Sequence, residues 1–212
     1  MTLYVSALHL DAHACRQLRI TDGYSLHRVV YSLYDDVRSE QQKQGSVPSG
    51  IQWVDKGGDS RGRKILMMAD RPPHEPQAGC LETRLLSDSF LSHSCYRFSV
   101  CLNPTRRHAQ TGKQSAITGR AAILSWFCQR AEGWGFNVDP RQVQVESINV
   151  LKMNMSPERI ITLQQATVSG RLTVSHTENF RKSFMQGIGR ARAFGCGLLQ
   201  IVPQLEYQFF DE

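Results

Sequence analysis

The chain has 212 residues, of which 41% are apolar and 8% aromatic, and it carries a formal net charge of +6. That length suits one large domain or two compact ones of about 100 residues, and no apolar run approaches the roughly 18 residues of a membrane span. The opening MTLYVSALHLDAHA lacks a basic start followed by an apolar run, so no secretory signal is expected and the cytoplasm is the expected compartment.

TLYVSALHL alternates as a strand does, and Thr21 or Asp22 is placed to cap a helix over about residues 23 to 44. GSVPSG ends that helix, after which IQWVD and RKILMMAD read as strands joined by the turn KGGDSRG. RPPHEPQAG reads as loop and CLETRLLSDSFLS as a short helix, giving βαββ and a weak second helix. The pattern then restarts with the strand SCYRFSVCL, the basic loop NPTRRHAQTGKQSAIT and the helix GRAAILSWFCQRAEGW, whose apolar face carries Ile123, Leu124 and Phe127. VQVESINVLKMNM and RIITLQQATVSGRLTV form a hairpin around SPE; HTENFRKSFMQ is a helix spaced by Phe180 and Phe184, and CGLLQIV is a closing strand. The order βαββαβ is the ferredoxin-like arrangement, and the first half reads as an incomplete copy of it. The expected fold is therefore α+β with two tandem ferredoxin-like domains, residues 1–92 and 93–212, inferred from element order because no repeat is visible in the sequence itself.

Six cysteines are scattered without a CxxC pair, so neither a zinc site nor a disulfide framework is indicated, and reduced, mostly buried thiols are expected. The acidic residues show no paired-carboxylate spacing. The positive charge is uneven. Residues 103 to 130 hold Arg106, Arg107, Lys113, Arg120 and Arg130 with no acid, and residues 179 to 195 hold Arg181, Lys182, Arg190 and Arg192, again with none. Such blocks suit a polyanionic partner, although for any one residue a solvated surface charge is an equal reading.

Within the second block lies GIGRARAFGCGLL, residues 187 to 199. A Walker loop needs GK followed by Ser or Thr, and a dinucleotide fingerprint needs a strand before the glycines and a helix after them. Both fail, since this loop follows a helix and precedes a strand. Two readings stay open. Gly187 or Gly189 caps the helix while Gly195 and Gly197 relieve crowding at the last strand, or Arg190 and Arg192 with exposed glycine amides hold a phosphate backbone.

On the first helix, about 100° per residue puts Leu26, Val29, Val30, Leu33 and Val37 on a core face and Tyr24, His27, Tyr31 and Tyr34 together on a flank away from it. A histidine among tyrosines on a polar flank is not what core packing requires, though an exposed histidine beside tyrosines by chance has the same pattern.

The final helix, the GIGRARAFGCGLL loop and the strand after it resemble the C-terminal glycine-rich motif of CRISPR-associated RAMP proteins, specifically the CasE type of repeat-processing endoribonuclease. The resemblance runs nearly end to end, through GYSLHRVVYSLY, FSVCLNPTRR, GRAAILSWFCQRAEGWGF and SGRLTV. The glycine loop is shared across many RAMP proteins and marks the superfamily; the helix with its histidine and the CLNP segment mark the subfamily.

The resemblance implies metal-independent RNA cleavage with no cofactor, in which a ribose 2′-hydroxyl attacks the adjacent phosphate and leaves a 2′,3′-cyclic phosphate. His27 occupies the place of the family's catalytic histidine and would serve as general acid or base, a role worth about 10² to 10⁴ in rate. Tyr24, one turn earlier, would position the 2′-hydroxyl or the phosphate, since a phenol is a weak base near neutral pH. Some relatives place a lysine a turn beyond the histidine, where this chain has Tyr31 and Ser32. Arg28 or a basic residue of the 106 to 113 loop would then meet the transition-state charge.

The implied substrate is the CRISPR repeat stem-loop, cut at the 3′ base of its hairpin. An A-form stem is held mainly through phosphates and 2′-hydroxyls. Arg106, Arg107 and Lys113 are assigned to the stem backbone, and Arg190 and Arg192 with Gly187, Gly189, Gly195 and Gly197 to phosphates near the hairpin. Lys152 and Arg159 lie near the tip of the 143 to 173 hairpin, which the family sets against the stem. The implied partners are the guide RNA and the other subunits of the Cascade complex, with the acidic tail EYQFFDE docking on a neighbouring subunit. The alternative is a non-catalytic RNA-binding subunit that caps the guide RNA hairpin; a basic RNA-binding module unrelated to CRISPR is a third reading.

Overall fold

In the computed structural model, residues 2–45, 47–59, 62–156 and 159–204 are described, with the backbone alone for 154–156 and 159. The alternation of YVSALHL becomes strand β1 (Tyr4–Leu10), which buries Ser6, Leu8 and Leu10 on one face. Strands β2 (Ile51–Asp59) and β3 (Gly62–Ala69) form a hairpin whose second arm lies antiparallel to β1. Strand β4 (Cys80–Leu85) pairs with the other side of β1, completing the antiparallel order β2-β3-β1-β4.

That is the full ferredoxin-like strand order, so the first half is more complete than its element order suggests. The short helix expected over CLETRLLSDSFLS is instead β4 followed by a 3₁₀ turn, Asp88–Leu91. The reason is tertiary. The open edge of β1 offers ladder partners from Tyr4 opposite Leu85 to His9 opposite Cys80, and the Ser6 and Thr83 hydroxyls meet at 2.9 Å across it.

The single helix expected over 23–44 divides. After α1 (Ala12–Gln17), helix α2 (Gly23–Tyr31) starts at a capping box: Asp22 Oδ1 accepts from Ser25 N at 2.8 Å, and Ser25 Oγ accepts from Asp22 N at 2.9 Å. Beyond Tyr31 the backbone bonds to the loop after β3, where His74 N donates to Leu33 O at 2.7 Å and Arg71 Nε to Asp35 O at 2.9 Å. The helix is interrupted there, and a short α3 (Glu40–Gln44) follows a Ser39 cap. Two placements change as a result. Tyr34 is buried in the first core rather than on the polar flank, and Val37, expected to face that core, is 66% exposed.

The second half forms β5 (Cys95–Leu102), a small hairpin of β6 (Thr105–Arg107) and β7 (Gln114–Ala116) where a plain basic loop was expected, and helix α4 (Arg120–Ala131). Then come β8 (Phe136–Asn137), β9 (Val143–Ser156), β10 (Arg159–Val174), α5 (Thr177–Gln186) and β11 (Gln200–Pro203). The sheet order is β11-β5-β10, with β9 and β8 taking successive stretches of the far edge of β10. Ile123 and Phe127 of α4 and Phe180 and Phe184 of α5 are buried against it, each such side chain contributing about 1.5–3 kcal/mol.

Several contacts join the halves. Leu3, Val54 and Met68 of the first half pack into the second core. The long hairpin also presses on the first turn of α2: a Cβ at Gly23 would stand 3.1 Å from Met153 Sδ. Chain positions far apart in sequence therefore converge on the histidine-bearing helix.

Candidate active site

The segment after α5 runs past the edge strand β2, and side chains from β2, β10 and α2 bind carbonyls along it and at the end of α5. Gln52 Nε2 on β2 donates to Phe184 O at 3.0 Å and Met185 O at 2.9 Å. Trp53 Nε1, the next residue, donates to Ala193 O at 3.2 Å, and Gln165 Nε2 on β10 donates to Phe194 O at 3.0 Å. His27 on α2 completes the set, with Nδ1 2.7 Å from the same Ala193 oxygen. A 3₁₀ turn over Arg192–Phe194 presents the Ala193 and Phe194 carbonyls.

The glycines make this path possible. At Gly195, where φ is +77°, an added Cβ would stand 3.0 Å from the Trp53 ring; at Gly197 it would stand 2.6 Å from Ile188 O. Both are buried, and Gly197 N already donates to Cys101 O at 2.7 Å. Gly187 ends α5, whereas Gly189 lies on the exposed outside of the loop. The crowding-relief reading thus describes Gly195 and Gly197, and their buried backbone faces protein.

Because a carbonyl only accepts, His27 Nδ1 carries the hydrogen, and in the neutral ring Nε2 holds the lone pair. No described residue bonds Nε2. The ring lies 4.2 Å from Tyr31, 5.7 Å from Phe194 and 6.1 Å from Tyr24 between centroids, the last pair nearly parallel at 14°. Burial among these rings lowers the imidazole pKa below its ordinary 6.5, opposed by the Ala193 carbonyl. The ring is thereby held neutral near pH 7. Tyr31 Oη is tied to Ser49 Oγ at 3.2 Å, while the half-buried Tyr24 hydroxyl has no described partner.

Clefts open on either side of the 3₁₀ turn. One, of about 800 Å³, is lined by Tyr31, Arg38, Lys43, Gln52, Arg192 and Phe194. The other, of about 470 Å³, is lined by Gly23, Trp53, Lys56, Arg63, Gln165 and Phe194. The turn that receives His27 is therefore the wall between them.

Arg106 and Arg107 on β6 and Lys113 beside β7 are exposed, and the structure brings Arg190 to them: with its amide oriented to accept, Gln114 on β7 receives both Arg190 Nη atoms at 2.9 and 3.0 Å. Arg28 is exposed on α2 and Lys152 on β9, on the strand face opposite the buried Met153. None of these six lies within ion-pair distance of a described carboxylate. Arg107 Nε also donates to Gly112 O at 3.0 Å within its own hairpin, and Arg192 and Arg120 are likewise bound to backbone carbonyls. Arg192 Nη1 donates to Gln186 O at 2.7 Å, and Arg120 binds the carbonyls of Val145 and Glu146. Arg159 stands on β10 opposite Ser156, but its side chain, like the acidic tail, lies outside the described residues.

Of the six cysteines, Cys95, Cys101 and Cys196 are buried, all six are free thiols, and Cys80 is exposed. Among the described residues no three His, Cys, Asp or Glu side chains converge, and no described helix is long and apolar enough to cross a membrane. Trp53, Phe194 and the Ala193 carbonyl were not expected at this site. Their one sequence trace is the small residue at Gly195, which leaves room for an indole supplied from another strand.

The fold recurs in known proteins. The CRISPR-associated endoribonuclease Cse3 of Thermus thermophilus is 28% identical over 116 residues, covering 50% of this chain and 55% of that protein, about half the length of each. A structure of Cse3 bound to a 19 nt RNA superposes with a TM-score of 0.79 at 21% identity, over 96% of this chain and 100% of that one. A chain of a CRISPR RNA-guided surveillance complex gives 0.68 at 17% identity, over 95% and 100%. These likenesses establish the tandem ferredoxin-like fold. The family model described as CRISPR associated protein matches residues 3–203, and this chain belongs to that family.

Proposed function

We propose that this chain is a metal-independent endoribonuclease that cuts a CRISPR repeat stem-loop at the 3′ base of its hairpin and stays on the mature guide RNA. The observation that carries the reading is His27 itself: a ring held neutral, its Nδ1–H spent on Ala193 O, its Nε2 lone pair unclaimed by any described residue and its faces lined by tyrosines. That arrangement suits a general base. Nε2 takes the proton of the 2′-hydroxyl as the 2′-oxygen bonds to phosphorus. The bond from phosphorus to the 5′-oxygen breaks, that oxygen takes up a proton from solvent water, and a 2′,3′-cyclic phosphate remains.

Tyr24, one turn before His27, orients the 2′-hydroxyl or a phosphate oxygen through its hydroxyl. With Tyr31 at the position of some relatives' lysine, charge on the phosphorane is met by Arg28 or by the β6–β7 hairpin. Arg106, Arg107, Lys113 and Arg190 form one exposed basic face for the stem backbone, and Lys152, exposed on the long hairpin, and Arg159 are the further candidates for stem contact. The gap between the 3₁₀ turn ending at Leu91 and β5 is where we divide the two domains, 1–92 and 93–212. The named relative is an endoribonuclease, one similar structure holds RNA and another belongs to a surveillance complex. These support a cytoplasmic guide-RNA subunit that joins the other subunits of such an assembly.

The test is incubation in EDTA with a repeat RNA from the protein's own locus, and with the same RNA carrying one 2′-deoxy nucleotide before the cut. Cleavage of the all-ribose RNA alone is expected. Tight binding of both with no product would instead make the chain a hairpin cap.

A further inference from the structure

We propose that Trp53 is a positioning residue for His27, acting through the carbonyl of Ala193 that both side chains share. The inference rests on the reading of His27 as the base.

A histidine bonded to a loop carbonyl is only as well placed as the loop. Here the carbonyl belongs to a 3₁₀ turn beside a cleft on each side, a place where a free loop would wander. Trp53 removes that freedom. It is 2% exposed on β2, and its Nε1–H donates to Ala193 O at 3.2 Å while His27 Nδ1 donates at 2.7 Å. The oxygen therefore receives two donors, one from a sheet strand and one from α2. Its position is referred to the sheet and not to the loop.

A second observation shows that the indole is fitted to this turn. Gly195 has no Cβ where one would stand 3.0 Å from the Trp53 ring. The neighbour in sequence, Gln52, bonds Phe184 O and Met185 O, so adjacent residues of an edge strand hold the segment at both ends. The shared carbonyl also sets the proton affinity of His27. Its pull on the imidazolium is divided with Trp53, which leaves the neutral ring favoured; losing the indole N–H returns the whole oxygen to His27 and raises its affinity for a proton.

The experiment compares wild type, Trp53→Phe and His27→Ala in single-turnover cleavage of the repeat hairpin. A fourth protein carries 3-benzothienylalanine at position 53, an indole shape without the N–H, which guards against a packing defect in Trp53→Phe. Both Trp53 replacements are expected to lower the maximal rate on the order of ten-fold, to leave the half-saturating concentration within about two-fold, and to move the acidic inflection of the rate profile to higher pH. If the benzothienyl protein keeps the wild-type rate and inflection while His27→Ala is inactive, Trp53 only packs and the proposal falls. A change confined to half-saturation overturns it too, by assigning Trp53 to binding. Cleavage by His27→Ala would remove the reading on which the proposal rests, and that result is distinct from the other two.

Discussion

The surroundings of His27 and the β6–β7 face differ in how their side chains are held. His27 sits among three aromatic rings with one nitrogen bound to a carbonyl that Trp53 also grips. Arg106, Arg107 and Lys113 stand exposed on a two-stranded hairpin, with no described carboxylate within ion-pair distance. Bond-making chemistry depends on a fixed atom and a chosen tautomer, so it is built where several elements converge. Grip on a flexible polyanion depends on net charge within a Debye length, so it tolerates long mobile side chains.

The sharpest way to break this contrast is at its two ends. His27→Ala should lower cleavage by at least about 10² while hairpin affinity in a gel shift stays within a few-fold. Comparable loss of both would merge the two regions into one. In the opposite sense, replacing Arg106 and Arg107 together by Ala should weaken hairpin binding and reduce the salt slope by roughly one unit per lost phosphate contact, with the rate at saturation unchanged. An unaltered slope would return that face to solvent.

Smaller effects sharpen the account. Gly195→Ala forces a Cβ toward the Trp53 ring at a φ of +77°, so thermal unfolding should show a loss of about 1–2 kcal/mol and cleavage should fall with it. The smallest effect is on stability against pH. The folded protein holds the His27 pKa below 6.5, so below that value the unfolded chain binds more protons and stability falls as pH falls. His27→Gln should flatten that dependence in denaturant melts near pH 5 to 6.5.

Much of this was legible in sequence where the pattern was local. The second βαββαβ order, the apolar faces of α4 and α5, the Asp22 cap and the flank shared by Tyr24, His27 and Tyr31 all follow from periodicity within one element. What was missed came from partners far along the chain. CLETRL has no helical fate because β1 has an open edge, and residues 33–36 leave the helix because the loop after β3 takes their carbonyls. Two neighbouring candidate arginines also part company: Arg190 reaches β7, far along the chain, whereas Arg192, two residues on, is used by its own loop. Charge pattern alone gives such neighbours one role.

The most direct test of the central claim is the pH dependence of the wild-type cleavage rate divided by its half-saturating RNA concentration, which reports groups of the free enzyme. A neutral His27 with a free Nε2 predicts a rate that rises with pH through an inflection below 6.5 and then levels. A rate that falls with pH across that range, or an inflection above 6.5, would contradict a general base held neutral by its burial.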